Sequence, residues 1–222
     1  MLNQEHGKDT IDGKDAFILL SDGSFFDYVN PDSTPMSLEC LAASLASTSR
    51  FRGQTKTPVV GQVDRKVYTQ YSVAQHCVLM AVVAMQETND VEFALACLHH
   101  EDGEGPCGDM PSPLKALCPD YAAIEKRCCA AINKQWDISQ EYKDKVKELD
   151  TRFYFAERDI FMPKVESLIS SDMPVPDIKI MPMTAAMARE KFISLHENLM
   201  FERDRLARIS DGEGDSEENA KA

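Results

Sequence analysis

A stretch of eighteen residues, LHHEDGEGPCGDMPSPLK (98–115), concentrates side chains that could bind a metal ion or transfer a proton. It holds two histidines, four acids, three glycines and three prolines. Imidazole and carboxylate groups bind divalent transition metals, and a metal-bound water can act as a nucleophile in hydrolysis. The stretch is therefore either a solvated loop that follows a helix or the centre of a metal-dependent active site.

Two other predicted helices bring similar groups toward the interior. His76 shares a face with apolar residues of the helix that begins at Ser72, and Asp150 lies within or beside the apolar stripe Val146, Leu149, Phe153, Ala156 and Ile160. A lone buried histidine is more often a hydrogen-bonded core residue, and a lone aspartate is more often an ion-pair partner. An unpaired buried carboxylate would cost several kcal/mol. Convergence from three helices favours a divalent metal, which compensates such charge.

Composition limits the function classes. The chain has 222 residues, 43% hydrophobic and 27% charged, which is ordinary for a globular domain, and a net charge of −13 argues against non-specific binding to polymeric nucleic acid or anionic membrane. No stretch approaches the about 20 apolar residues of a membrane span. Seven cysteines without a CxxC pair indicate reduced, mostly buried thiols in a cytoplasmic protein.

The elements that must position these groups are predicted to be helical. At least six helices and little sheet indicate an all-α domain over residues 15–209, with a flexible leader at 1–14 and an acidic disordered tail at 210–222. Ser37, Ser72 and Thr184 are predicted to cap helices, and Asp22-Gly23 predicts the turn of a small hairpin within Phe17–Val29.

Several motifs resemble those of the HD-domain phosphohydrolases, and most closely the bacterial 5′-deoxynucleotidases and related phage enzymes acting on deoxynucleotides. The resemblance covers roughly residues 27–199 and implies an HD-domain helical bundle, a homodimer or higher homo-oligomer, and a bacterial or phage-infected host cytosol. Its most specific part is YSVAQH (71–76) followed by GDMPSPLK (108–115), in this order and at this spacing. The matching segments are SRF (49–51), YSVAQH (71–76), LHHE (98–101), Glu104, GDMPSPLK (108–115), Leu149-Asp150 and Glu157-Arg158-Asp159.

The resemblance also implies roles for nine of the matching residues. The metal ligands would be His76, His100, Glu101 and Asp150, holding one divalent transition metal ion (Co, Mn, Zn, Fe or Ni). Glu104 would act on the metal-bound water, and Asp109 would be a second catalytic carboxylate near the leaving 5′ oxygen. Arg50 and Lys115 would hold phosphate, with Phe51 against the sugar or base. Without the motifs, Arg50 and Lys115 would be interpreted as surface cations, Glu104 as a solvated acid and Asp109 as a cap.

The chain departs from the family at Glu101, where the family has an aspartate after the histidine. Asp102 could take that role if the frame moved by one residue. That shift would take the downstream acids off their spacing, whereas His100-Glu101 keeps Glu104, Asp109 and Lys115 in register. Position 101 is therefore predicted to be the ligand, and His99 a packing or supporting residue.

Three functions remain open from the residues. The first is a phosphohydrolase of deoxynucleoside 5′-monophosphates. The second is a deoxynucleoside triphosphate triphosphohydrolase of the dATP type, which the basic loop Arg50–Lys66 (with Arg52, Lys56, Arg65 and Lys66) keeps open. The third is a nucleotide-binding module that has lost catalysis.

Overall fold

The computed structural model describes residues 16–55, 70–165 and 172–211, together with the backbone of two short antiparallel pairs. These pairs join β1 (Thr10–Ile11) to β2 (Lys14–Asp15) and β5 (Val59–Val60) to β6 (Val67–Tyr68). Between them in the chain, β3 (Phe17–Leu19) pairs antiparallel with β4 (Phe25–Asp27). The predicted hairpin is confirmed, and Gly23 adopts the positive φ of 86° that its turn requires.

Helices dominate the rest of the described chain, so the all-α class is confirmed. Eight α-helices are formed within the described residues. They are α1 (Leu38–Ser47), α2 (Val73–Thr88), α3 (Val91–Leu98), α4 (Glu104–Cys107), α5 (Ser112–Lys115), α6 (Pro119–Gln135), α7 (Lys143–Phe161) and α8 (Ala185–Ser210).

Local side-chain caps set the starts of the four helices that form the core. Ser37, Ser72 and Thr184 each accept a hydrogen bond from a backbone N–H in the first turn of α1, α2 and α8, as predicted. Asp90 does the same for α3. The preceding residue, Asn89, ends α2 in the left-handed conformation. The helix starts are therefore encoded by residues adjacent in sequence.

Helix α2 is the central element of the fold. It packs against α1, α3, α7 and α8. Eleven of its sixteen residues are buried, so its polar residues must be satisfied by other helices rather than by water. His76 is one of them and has no exposed surface. This burial makes the partners of His76 the starting point for the candidate site.

One sequence prediction about a helix face is wrong. Ile160, assigned to the buried stripe of α7, is 48% exposed, and the buried positions at that end are Glu157 and Phe161. The drift arises because a 3.6-residue period does not keep one straight stripe over five turns. Helix α3 ends at Leu98, so His100 lies in the turn after it and Glu104 begins a separate helix, α4.

Parts of the predicted ends and of the basic loop lie outside the described residues. These are most of the leader, residues 212–222 of the tail, and Lys56, Arg65 and Lys66 of the loop. At the boundary, Ser210 is still the last residue of α8 rather than part of a tail. No helix in the described ranges is both long and apolar enough to cross a membrane.

Candidate metal centre

Four of the predicted site residues converge although they come from three separate parts of the chain. One donor atom from each of His76, His100, Glu101 and Asp150 lies within 4.8 Å of the other three. His76 comes from the middle of α2 and Asp150 from α7, while His100 and Glu101 lie in the turn after α3. Two imidazoles and two carboxylates in this space can hold a divalent ion.

Hydrogen bonds outside the group orient both imidazoles. Nδ1 of His76 lies 2.5 Å from Oε1 of Glu157, and Nδ1 of His100 lies 2.8 Å from the carbonyl oxygen of Cys97. A carbonyl oxygen only accepts, so His100 must donate from Nδ1. The same arrangement at His76 leaves the Nε2 lone pair of each neutral ring pointing inward, with the two Nε2 atoms 3.4 Å apart.

The surroundings of Asp150 show whether this group of residues fits a cation. The Oδ1 atom of Asp150 is buried and accepts no hydrogen bond from the described residues, although it lies 3.1 Å from Nε2 of His76 and 3.9 Å from Nε2 of His100. Three electron-pair donors facing one another are unfavourable without a positive charge between them. A divalent ion would satisfy all three, so the residues present fit the metal.

A proton competes for the same space. Burial lowers the pKa of His76, but the carboxylates of Glu157 and Asp150 outweigh it and hold that pKa above its ordinary value. Metal binding requires the neutral ring, so protonation of His76 opposes binding of the ion.

Glu157 is a functional residue for which sequence reasoning gave no role. It has no exposed surface and is bonded on both oxygens: Tyr71 donates to Oε1 at 2.7 Å and Arg50 donates to Oε2 at 3.1 Å. Burial raises the pKa of Glu157, but His76 and Arg50 outweigh it and keep the carboxyl ionised. The feature of the sequence that could have identified Glu157 is its position seven residues after Asp150, which puts both acids on one face of α7.

Arg50 approaches the metal group from a turn with an unusual backbone. Its guanidinium lies 3.5 Å from Oε1 of Glu101 and 3.7 Å from Oδ1 of Asp150. The next two residues, Phe51 and Arg52, both have positive φ, 54° and 55°, which is uncommon for side-chain-bearing residues and frequent at functional sites. The ring of Phe51 lies 6.1 Å from that of Tyr154, forming an aromatic pair beside the group.

Glu104, Asp109 and Lys115 lie on the other side of Glu101. Glu104 is 4% exposed, and burial together with the charges of Glu101 and Asp109 raises its pKa to about 10. Burial also raises the pKa of Asp109, whose carbonyl oxygen accepts a hydrogen bond from Arg52. Lys115 is not free to meet a phosphate, because its Nζ lies 2.7 Å from Oε1 of Glu125.

Asp102 belongs to a different buried network and not to the metal group. Its Oδ2 lies 2.8 Å from Nδ1 of His99 and accepts a hydrogen bond from Asn133 at 2.9 Å. Asn133 also donates to the backbone carbonyl of His99, and His99 contacts His196 of α8 at 2.8 Å. The structure therefore places Glu101 beside the imidazoles and Asp102 in the core, as the register argument predicts. Their roles in binding stay predictions.

The same network predicts a loss of stability in acid. Burial, with His99 and Arg203 nearby, lowers the pKa of His196 to about 4. Below about pH 6.5 the unfolded chain takes up a proton at His196 that the folded chain refuses until about pH 4. The free energy of unfolding should fall across this window by up to about 3 kcal/mol from this residue.

Urea unfolding of the wild type and His196→Gln between pH 7 and pH 4 measures this effect. Stability of the variant should depend less on pH than that of the wild type, with Glu197→Gln, an exposed neighbour on α8, as the control. Equal pH dependence of all three proteins would contradict the assignment.

A cleft of about 670 Å³ opens from the metal group between α6 and α7. Four of the predicted site residues line it: His100, Glu101, Lys115 and Asp150. Three exposed lysines, Lys126, Lys143 and Lys147, line its outer part. The lining also includes Asp144 among these lysines, so the outer part of the cleft carries charges of both signs with an excess of lysine.

Comparison with known proteins gives relatives without an assigned activity. The chain is similar to the uncharacterized protein YfdR of Escherichia coli K12, with 28% identity over 191 residues that cover 83% of this chain and 96% of the relative. It is also similar to an uncharacterized protein of Rhodobacter capsulatus, with 27% identity over 128 residues, 56% of this chain and 60% of that protein. No model of a known protein family matches the chain. Function must therefore be argued from the site.

Proposed function

We propose that this protein is a metal-dependent phosphohydrolase that removes phosphate from deoxynucleoside 5′-monophosphates. The observation that carries the proposal is the inward convergence of His76, His100, Glu101 and Asp150 at the inner end of a cleft. Motif resemblance to HD-domain phosphohydrolases supports the reaction class. It also supports a deoxynucleotide substrate and a homo-oligomeric state.

The side chains around the metal group have different roles in the proposed reaction. A divalent ion held there would lower the pKa of a water toward about 7 and polarise a phosphoryl oxygen. Glu104 orients the attacking water and accepts its proton, and Asp109 gives a proton to the leaving 5′ oxygen. Without a cation the pKa of Glu104 is raised to about 10, and the charge of a bound divalent ion would lower it, as the role of proton acceptor requires. Burial raises the pKa of Asp109, which suits a proton donor. Arg50 stabilises negative charge on the phosphate, Lys115 would do so after its ammonium leaves Glu125, and Phe51 with Tyr154 offers an apolar surface for the nucleoside.

A deoxynucleoside triphosphate triphosphohydrolase is the second candidate, and the lysines of the cleft favour it. Lys143 and Lys147 precede Asp150 by seven and three residues and lie on the same face of α7. At 1.5 Å per residue they are about 10 Å and about 4.5 Å from Asp150 along the axis, within reach of a phosphate chain. Attack at the α-phosphorus would then release triphosphate.

The test combines product analysis with a variant of Glu104. Orthophosphate released from dAMP in the presence of Mn²⁺ or Co²⁺ supports the first candidate, triphosphate from dATP supports the second, and no product with either substrate and any divalent metal leaves a binding module. Glu104→Gln should lower kcat by about 10²–10⁴-fold, since general acid–base catalysis contributes that much. It should keep the ion bound by His76, His100, Glu101 and Asp150.

Glu190→Gln, an exposed change on α8, is the matched control and should retain wild-type kcat. An unchanged kcat in Glu104→Gln would reject the assigned role of Glu104.

A further inference from the structure

We infer that a second divalent cation binds beside the first, between Glu101, Glu104 and Glu125. One carboxylate oxygen from each of these residues lies within 4.8 Å of the other two. Glu101 belongs to both groups of donors, so its carboxylate would bridge the two ions. The inference extends the site of the proposed function, but it concerns metal content and does not depend on the substrate.

An unpartnered buried atom points to a missing ligand at this place. Oε2 of Glu104 is buried and accepts no hydrogen bond from the described residues, and the whole residue is only 4% exposed. Leaving a buried carboxylate oxygen without a partner is unfavourable, because its hydration is lost and nothing replaces it. A cation held between Glu104 and its two neighbouring carboxylates would remove that cost.

The local backbone brings Glu104 toward Glu125. The turn after α3 approaches α6 so closely that a Cβ atom at Gly103 would lie 2.7 Å from the carbonyl oxygen of Glu125. Only glycine permits this approach without a shift of the backbone. Glu104 follows directly and begins α4, with its N–H donating to the carbonyl of Glu101. The cluster is therefore built by the fold and is not a chance grouping of surface acids.

The charge around the site also calls for more than one divalent ion. Six carboxylates lie here, those of Glu101, Glu104, Asp109, Glu125, Asp150 and Glu157, and their cationic partners are Arg50 and Lys115. With one divalent ion the group would still carry two net negative charges and repel a phosphate. With two it would be neutral and would no longer repel a phosphate.

In the structure described, the ammonium of Lys115 supplies the positive charge that the second ion would supply. This ammonium lies 2.7 Å from Oε1 of Glu125 and supplies the charge that this buried carboxylate needs. A cation bound to Glu125 would release Lys115, which could then contact the phosphate. An all-oxygen donor set suits Mg²⁺ or Mn²⁺. Two ions a few ångströms apart can bind the attacking and leaving oxygens of one phosphoryl group.

The length of the side chain at position 101 is consistent with a bridge. Glutamate carries one methylene more than the aspartate of the related motif, which extends its carboxylate from the imidazoles toward Glu104. Oε1 of Glu101 lies 3.5 Å from Nε2 of His100, and a carboxylate oxygen of Glu101 also lies within 4.8 Å of carboxylate oxygens of Glu104 and Glu125.

Binding of Mn²⁺ alone to the full chain tests the inference. Equilibrium dialysis followed by elemental analysis should give two Mn²⁺ per wild-type chain and one per Glu125→Gln chain. The exposed control Glu190→Gln should bind two. Paramagnetic resonance should show a coupled pair of ions in the wild type and a single uncoupled ion in Glu125→Gln. One Mn²⁺ per wild-type chain, or two in folded Glu125→Gln, would overturn the second site.

Lys115→Met provides an independent test that does not depend on losing a ligand. Removing the competing ammonium should tighten the weaker Mn²⁺ site by about tenfold, and unchanged or weaker binding would overturn the inference. These measurements separate the two proposals. If the protein binds two Mn²⁺ but hydrolyses no nucleotide, the second site is supported and the proposed function is rejected. If the protein hydrolyses a nucleotide but binds only one ion, the proposed function is supported and the second site is rejected.

Discussion

Asp150→Ala is expected to abolish metal binding at the first site and to lower phosphohydrolase activity by more than about 10²-fold, since even residues that only support metal ligands cost 10–100-fold. Chelator treatment of the wild type should have the same effect on activity. Metal content after dialysis, measured beside turnover, checks both results. Asp204→Ala, an exposed aspartate of α8, is the matched control and should behave as the wild type.

The same variant should separate metal binding from stability. Without metal, Oδ1 of Asp150 lies 3.1 Å from Nε2 of His76 and 3.7 Å from the guanidinium of Arg50, and these groups outweigh burial and hold the pKa of Asp150 below its ordinary value, so its removal should lower the Tm of the chelated protein. Added Mn²⁺ should raise the Tm of the wild type by mass action and not that of Asp150→Ala. An active Asp150→Ala protein that contains no metal would contradict the ligand assignment.

Substitutions at positions 101 and 102 are expected to impair different properties, metal binding at position 101 and stability at position 102. Glu101→Ala should lose the metal and stay folded, whereas Glu101→Asp should keep activity. Asp102→Ala should lower the free energy of unfolding by about 2–4 kcal/mol, because His99 and Asn133 lose a buried acceptor. Metal content per folded chain should be retained in that variant.

Denaturant unfolding and elemental analysis of the three variants distinguish the two alignments. If folded Asp102→Ala has no metal and Glu101→Ala keeps it, the register is displaced by one residue. The comparison is sharp because the two side chains are adjacent in sequence and yet have different neighbours, with Glu101 beside Arg50 and Asp102 beside His99.

The parts of the fold that are encoded locally could be predicted from the sequence. Ser37, Ser72 and Thr184 cap helices because each needs only a backbone N–H three residues away. His76 and Asp150 could be singled out because each interrupts an apolar helix face, which is visible in the residue spacing alone. The convergence of their donor atoms follows that expectation, while binding of a metal stays a prediction.

Contacts between distant segments could not be predicted in this way. Glu157 acquires its role from Tyr71 and Arg50, which are 86 and 107 residues away in the chain. Lys115 resembles a free phosphate ligand in the motif, and only the fold reveals its ion pair with Glu125. Helix α3 ends at Leu98 in a turn that packs against α6, and this contact between separate segments is not visible in the local residue pattern.

The two imidazoles are held by protein groups alone, through Glu157 and the carbonyl of Cys97. The orientation of the imidazoles therefore does not depend on an ion, unlike small domains in which metal binding and folding are one event. We expect that an ion can bind to the folded chain and leave it without unfolding it. Affinities of such sites follow a general order among transition metals, and the supply of ions decides between them. If the site binds an ion as proposed, the identity of that ion would thus be set by the medium in which the chain meets a metal.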